Sequence, residues 1–500
     1  MRPTRHRSTP RPPPPKSPPA ARLRLLAPLA LCALAAPAWA GKEPEVLSLK
    51  RPAAGEWSGI YLLGHKAGYS FSRISTARLD GRPVVVVVED TTLHATLGGA
   101  AVSRRVREEK SYEAKPGGRL VLFKATHEGD GGDESLVARC DRGGVHLRRQ
   151  RPGEPEERLE LPPSQDVVDD ADLPRLAIAR RASQSGRLFD GSSLRDKPER
   201  VDYLGPAEIL AGGSRTEVQR VSITEDDGKV AAEVAIDAHD GRLLQLKFGG
   251  ALLAVPEPEA VAKQLGTLDL FALTRVPIDR PLRSGEVPAT LRFLVTGLPK
   301  GLRPAPERQR YRELPGGAVE VTVRAEYPTH KARRPESNPA DELGPTPAIE
   351  SGAPEIRALA RKLVGEEPDA LVASDRLSRW VFENLRKAYG VSSDRATDVL
   401  RRREGDCTEH SLLAVALARA AGIPARLVHG LVYAQGGDGV FGLYWHEWIE
   451  VWTGEWVAID PTFGQPVADA THLELGEGDE TDSVALMGQL KISVLEGAAP

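Results

Sequence analysis

The 500-residue chain holds three cysteines, two methionines and only 5% aromatic residues. Cysteines this few exclude a disulfide scaffold. Beyond residue 40 no stretch approaches the ~18 consecutive apolar residues of a spanning helix. Nucleic acid finds no electrostatic footing either. The first forty residues carry seven of the 67 Lys and Arg (Arg2, Arg5, Arg7, Arg11, Lys16, Arg22 and Arg24) and no acid, so the remainder sets 60 bases against 70 acids, a formal charge of 60 − 70 = −10. A phosphate-binding surface requires the opposite balance. What remains is an ordinary globular composition, 40% apolar and 27% charged, with length for roughly two to four domains.

The seven bases are followed by the apolar run "LLAPLALCALAAPAWA". This order predicts a secretory signal over residues 1–40, cleaved after Ala38-Trp39-Ala40. The expected location is extracytoplasmic, periplasmic or secreted, with no spanning segment after signal removal. A lipid anchor on Cys32 is the rival reading, although Leu31 before it is bulky for a lipoprotein site. Cleavage leaves Cys140 and Cys407.

The rest divides by pattern. Residues 41–275 show short β-type runs between Gly/Asp turns, such as "PVVVVVEDTTLHATL" and "VAAEVAIDAHDGRLLQLKFGG". These predict a mainly antiparallel β region, with helices at "ADLPRLAIARRA" and "EPEAVAKQLGTLDLFAL". Its histidines stand singly and form no catalytic constellation. Residues 276–328 read as a small β segment, and the Pro-rich, charged stretch 329–352 as an exposed linker. From 353 to 500 the period becomes helical. Ile356, Leu359, Ala360 and Leu363 make one stripe, Leu377, Trp380, Val381 and Leu385 another. A third helix is expected from Cys407, ended by Gly422 and Pro424. Strands follow at "ARLVHGLVY", "HEWIEVW", "EWVAID" and "KISVLE". Helices followed by an antiparallel sheet make this region α+β.

Cys407 opens its helix directly after Gly405 and Asp406. Glycine permits a sharp turn into the helix and aspartate caps it. A thiol in the first turn meets unpaired N–H groups and the positive end of the helix dipole, which favour thiolate. Such a nucleophile needs a base, and the base an orienting carboxylate. "YWHEWIEVWTGEWVAIDPTF" supplies His446 and Asp460. A hairpin turning through Trp452, Thr453 and Gly454 pairs His446 directly with Asp460 on one face. Two plainer readings compete: a Cys407–Cys140 disulfide, and a zinc half-site of Cys407 with His410. Tyr389 is a candidate oxyanion donor beside the Cys407 backbone N–H.

"RREGDCTEHSLLAVALARAAGIPARLVHGLVY" followed by "HEWIEVWTGEWVAIDPTFGQ" resembles the transglutaminase-like superfamily. The resemblance covers about the last 150 residues. It implies a papain-like core with Cys407 on a helix and His446 and Asp460 on neighbouring strands as the catalytic triad. It also implies acyl transfer on a protein or peptide amide through a thioester, with water or an amine as acceptor and no metal or organic cofactor. The competing class is a catalytically idle module that binds peptide or scaffolds the envelope.

Overall fold

The computed structural model describes residues 42–495, apart from 130–132, 225–229, 280, 281, 283–288, 305–307, 326–331, 336–338, 340, 341, 390–392, 394 and 478–485. The expected signal at residues 1–40, with Cys32, lies outside the described residues.

Between Glu56 and Pro256 the chain forms one antiparallel sheet of 14 strands. Glu56–Leu62 lies in the middle. Successive strands run outward from it to Glu157–Leu161; the chain then crosses to the opposite edge at Gln184–Asp190 and returns to Leu252–Pro256, which pairs with Glu56–Leu62. Several connections are two-residue turns, for which positive φ at both positions matches the twist of the flanking strands. Gly98 and Gly99 (φ 56° and 85°) join Leu97 to Ala100, and Gly212 and Gly213 (φ 56° and 82°) join Ala211 to Ser214. Helix Leu173–Arg180 packs on the sheet, capped by Asp172 accepting from the Arg175 N–H at 3.2 Å. The single helix expected in "EPEAVAKQLGTLDLFAL" is two short ones, Glu259–Ala262 and Leu270–Thr274. Gly266 stands between them, a residue of low helix propensity.

Thr290–Thr296, Val319–Arg324 and Gln309–Glu313 form a second sheet, and its fourth strand is Lys491–Leu495. That last strand, expected in the sheet that carries His446, pairs with Thr290–Thr296 instead, Val494 opposite Phe293. Alternation in a sequence reveals a strand's faces but not its partner. Ile492 and Val494 are buried in the common core.

The C-terminal region is α+β. Helices Pro354–Val364, Ala370–Asn384, Ala396–Arg402 and Cys407–Ala420 precede a sheet ordered Trp456–Ile459, Phe441–Trp452, Ala425–Gln435, Leu473–Glu477. Ala396–Arg402, absent from the sequence reading, is too short to show a period. The helix Cys407–Ala420 is buried at every residue from Cys407 to Arg419, not along one stripe. Its apolar residues share a core with Ile356, Ala360, Leu377, Val381, Ile449 and Val451. Described parts of 329–352, read as exposed linker, are tied to this region. The Ala332 N–H donates to Thr453 O at 2.8 Å, Arg419 pairs with Glu342 and donates to Gly344 O at 2.7 Å, and Ile349 is buried.

The pairing of Lys491–Leu495 with Thr290–Thr296 generates a stability test. Ile492→Ala, which removes a buried side chain, is expected to cost about 2–5 kcal/mol in urea unfolding. Ser493→Ala on the other face should stay within about 0.5 kcal/mol. Equal effects would contradict the pairing.

Candidate active site

Asp406 caps the Cys407 helix through a reciprocal pair of bonds. Its Oδ1 accepts from Thr408 N–H at 2.9 Å, and its own N–H donates to Glu409 Oε2 at 2.9 Å. The other oxygen of Glu409 accepts from Ser393 N–H at 2.9 Å. Two orphan donors of the first turn are thereby satisfied inside the protein. Glycine at 405 is required by close approach, since an added Cβ would lie 2.3 Å from the Glu409 side chain. The preceding segment is fixed by Arg386–Lys387, which pairs in parallel with Glu404–Gly405.

Ser411, one turn after Cys407 and on the same face of the helix, donates its hydroxyl to Glu447 O at 3.1 Å. The first helical turn is thus docked at the residue after His446. His410 in that turn donates through Nδ1 to Asp406 O at 2.6 Å, and its Nε2 is buried without a hydrogen-bond partner among the described residues. Burial holds its pKa down to about 4; the backbone bond and the charge of Asp460 oppose the shift, while Lys387 and His446 add to it. Among the described residues Cys407 and His410 belong to no group of three ligand atoms close enough to hold one ion. Cys407 and Cys140 are both buried and neither is in a disulfide, so the disulfide reading fails. Tyr389 packs edge-on against Phe271 of the N-terminal region, ring centroids 5.1 Å apart.

The hairpin brings His446 and Asp460 together in a register two residues away from the expected one. Val451 pairs with Val457 and Trp452 with Trp456, so the turn is Thr453-Gly454-Glu455. The edge-on pair of Trp452 and Trp456, centroids 5.5 Å apart, flanks it. A slip of two preserves the face. Asp460, just past the strand end at Ile459, reaches diagonally to His446, its Oδ2 lying 2.8 Å from Nε2. A carboxylate oxygen facing Nε2 assigns the ring proton there. Nδ1 of His446 is then the bare nitrogen, buried and without a hydrogen-bond partner among the described residues. Burial lowers the His446 pKa; the charge and hydrogen bond of Asp460 oppose the shift, and the charges of His472 and Lys387 add to it. The ring of Phe463 stacks on His446, centroids 4.9 Å apart at 20°. Lys387 Nζ stands 5.4 Å from the same Phe463 ring.

A third histidine, missed in the sequence, completes the cluster. His472 Nε2 lies 2.9 Å from the same Asp460 Oδ2, and its Nδ1 3.1 Å from Asp469 Oδ1. No periodicity marks it. The available signal is "DATH", in which Asp469 also accepts from Thr471 N–H at 3.0 Å. His446, Asp460 and His472 each offer an atom within 4.8 Å of the others. However, the N–O separations of 2.8 and 2.9 Å are hydrogen-bond lengths, shorter than the roughly 3.3 Å between two ligands of one tetrahedral zinc. Burial would raise the Asp460 carboxyl, but the two histidines outweigh it and hold the group far below the usual carboxylate range. Chemically the arrangement is a thiol at a helix N-terminus, on a helix that Ser411 docks to the strand of His446, and an imidazole with one bare nitrogen whose other nitrogen is held by a carboxylate.

Residues 357–461 match the family model of the transglutaminase-like superfamily. An uncharacterised protein of Mycobacterium leprae is 32% identical over 140 residues, covering 27% of this chain and 49% of that protein. A protein-glutamine gamma-glutamyltransferase of Pseudomonas aeruginosa is 35% identical over 127 residues, 22% of this chain and 19% of that protein. The chain therefore spans less than two thirds of either relative. Among solved structures, the periplasmic domain of TgpA from Pseudomonas aeruginosa, bound to ethylmercury, aligns at 21% identity over 44% of this chain and 82% of that one, with a TM-score of 0.24.

His410 generates a pH test. Its folded pKa of about 4 lies below the ordinary 6.5, so the unfolded state binds more protons between these values. The stability it contributes is complete above pH 6.5, falls on acidification and is gone below about 4. Wild-type stability measured by denaturant titration should lose about 3 kcal/mol to this group across that window. His410→Gln should flatten that part of the slope, and an unchanged slope would contradict the assignment.

Proposed function

Residues 357–461 belong to the transglutaminase-like superfamily, and from this premise we propose that the chain is an exported thiol enzyme acting on protein or peptide amides, with Cys407, His446 and Asp460 as its catalytic residues. The observation that carries the reading is the buried hydrogen bond between His446 Nε2 and Asp460. It leaves Nδ1 as the bare nitrogen, and in this reading Nδ1 is the base for Cys407. Export is supported by the basic and apolar start of the sequence; no helix among the described residues is long and apolar enough to cross a membrane.

In the first step the Cys407 sulfur forms a bond to the amide carbonyl carbon, and its proton passes to His446 Nδ1. The imidazolium is stabilised by Asp460 without proton transfer to that carboxylate. Backbone N–H at the helix start is the donor this reading assigns to the developing oxyanion. Collapse of the tetrahedral species breaks the C–N bond, and the leaving amine takes the proton from His446, giving a thioester and a free amine. Water or a second amine then attacks the thioester, His446 again removing the proton and returning it to sulfur. With water the reaction is hydrolysis; with an amine it is acyl transfer to that amine, and the Pseudomonas relative is named a protein-glutamine gamma-glutamyltransferase. An idle peptide-binding module is the second reading, and Cys407 separates the two.

Iodoacetamide at pH 7 should alkylate Cys407 while sparing Cys140, whose thiol burial raises to about 12. Peptide mapping after a timed exposure reads both sites. Cys407→Ala should abolish ammonia release from a glutamine-containing peptide, and His446→Ala should lower it by about a thousandfold or more. Equal labelling of the two cysteines, or turnover that survives Cys407→Ala, would remove the claim of catalysis.

A further inference from the structure

His472 is buried with 0% side-chain exposure, and both of its ring nitrogens face carboxylates, Asp460 Oδ2 at 2.9 Å and Asp469 Oδ1 at 3.1 Å. A neutral imidazole has one N–H and can satisfy only one of these acceptors. Two ionised acceptors require two donors, and only the imidazolium supplies them. The alternative, a neutral ring turning a lone pair toward a buried carboxylate, leaves two acceptors face to face, which is costly away from water.

We propose that His472 stands as a permanent imidazolium between Asp469 and Asp460 and acts as a positioning residue, fixing the Asp460 carboxylate and keeping His446 neutral. The role rests on the reading of His446 as the base. Asp460 Oδ2 is shared by both histidines, 2.8 Å from His446 and 2.9 Å from His472. A cation already paired with that oxygen weakens the field that Asp460 exerts on His446. His446 therefore holds its Nε2 proton toward Asp460 without becoming charged at Nδ1, as a general base requires. The charged groups that act on His446 are Asp460, His472 and Lys387, and the titratable ring of His410 is coupled to it as well. Around His472 they are Asp460 and Asp469, and the Trp448 ring meets it edge-on at 5.2 Å.

Three bonds hold the imidazolium in place from outside the catalytic elements. Arg308, at the start of strand Gln309–Glu313, donates to Ala468 O at 2.6 Å, to Asp469 O, and to His472 O at 3.5 Å. It is itself buried. The arginine clamps the backbone of the loop whose side chains carry the charge pair, so the small sheet has a part in the state of the site.

The test is nitrogen NMR on full-length protein with 15N-labelled histidine, which needs no turnover. At pH 8 both His472 nitrogens are expected at imidazolium shifts while His446 shows a neutral ring. His472→Gln, an uncharged donor of similar reach, should raise the His446 titration midpoint by roughly one pH unit and lower kcat with KM little changed. Asp469→Asn, which leaves Asp460 and His446 untouched, should return His472 to a neutral tautomer at pH 8 and guards against a His472 variant that fails to fold. A neutral wild-type His472 at pH 8 overturns the proposal, as does an unmoved His446 midpoint in folded His472→Gln. Failure of the catalytic reading looks different: an inactive protein whose His472 is nonetheless doubly protonated and whose His446 midpoint still moves.

Discussion

The carboxylate of Asp460 is the constraint on which the C-terminal region is built. It is fully buried, and an ionised carboxylate away from water costs several kcal/mol unless its lone pairs are met. Four donors meet them. Oδ2 takes His446 and His472, while Oδ1 takes the N–H groups of Thr462 at 2.6 Å and Phe463 at 2.9 Å. The last two come from the turn begun by Pro461, which cannot extend the ladder and so ends the strand where the carboxylate is needed. Asp460 and Gln465 exchange backbone bonds of 3.0 and 2.9 Å, and the Gln465 side chain exchanges two more with Asp469. Residues 460 to 472 are thus one hydrogen-bonded unit whose centre is the anion.

That unit holds its geometry because the surrounding sheets leave it no freedom. Leu443 exchanges backbone bonds of 2.9 and 3.0 Å with Val276, and Trp445 Nε1 donates to Thr274 O at 3.1 Å, so the strand carrying His446 is pinned from the N-terminal side. On the other side Gln309 and Glu474 bind each other through both the amide oxygen and the amide nitrogen of Gln309. The largest apolar core runs without a break from the 14-stranded sheet through Phe293 and Val321 to Leu431, Leu443 and Leu473. Precision of a few tenths of an ångström between a base and its orienting group depends on such support. The N-terminal half is therefore part of the scaffold of the site, a role no reading of its own residues would suggest.

How much of this was legible depends on the range of the interaction. Cys407 at a capped helix start could be read because Gly405, Asp406 and Glu409 act within one turn, and the end at Gly422 and Pro424 is equally local. His446 and Asp460 were legible as a pair on one face, since a hairpin conserves parity even when its register slips. The register itself was not, because contacts across the turn such as that of the Trp452 and Trp456 rings carry an energy that turn propensities do not contain. His472 and Arg308 were invisible for a stronger reason. Each acts through a contact with no periodicity, and Arg308 works at a separation of 160 residues from Ala468. The partner of Lys491–Leu495 was hidden in the same way, since nothing in an alternating run identifies a strand two hundred residues earlier.

His410, His446 and His472 are all buried, and burial alone would make all three neutral. Their differences must therefore come from what each pair of ring nitrogens faces. His410 hydrogen-bonds one backbone carbonyl, and that bond together with the charge of Asp460 offsets only part of the burial, so the ring is driven far toward neutrality. His446 faces one carboxylate that it must share; its pKa is lowered, but against an opposing anion. His472 faces two carboxylates, and although burial is the largest single effect on it, their combined attraction wins and its pKa is raised. The signs of the linkage follow. His410 and His446 contribute stability that is lost on acidification below the ordinary histidine range, whereas His472 contributes stability that is complete at low pH and lost as pH rises through its elevated pKa. One buried cluster thus penalises both directions, and the window between them is where a neutral base can coexist with a cation on the far side of the same carboxylate.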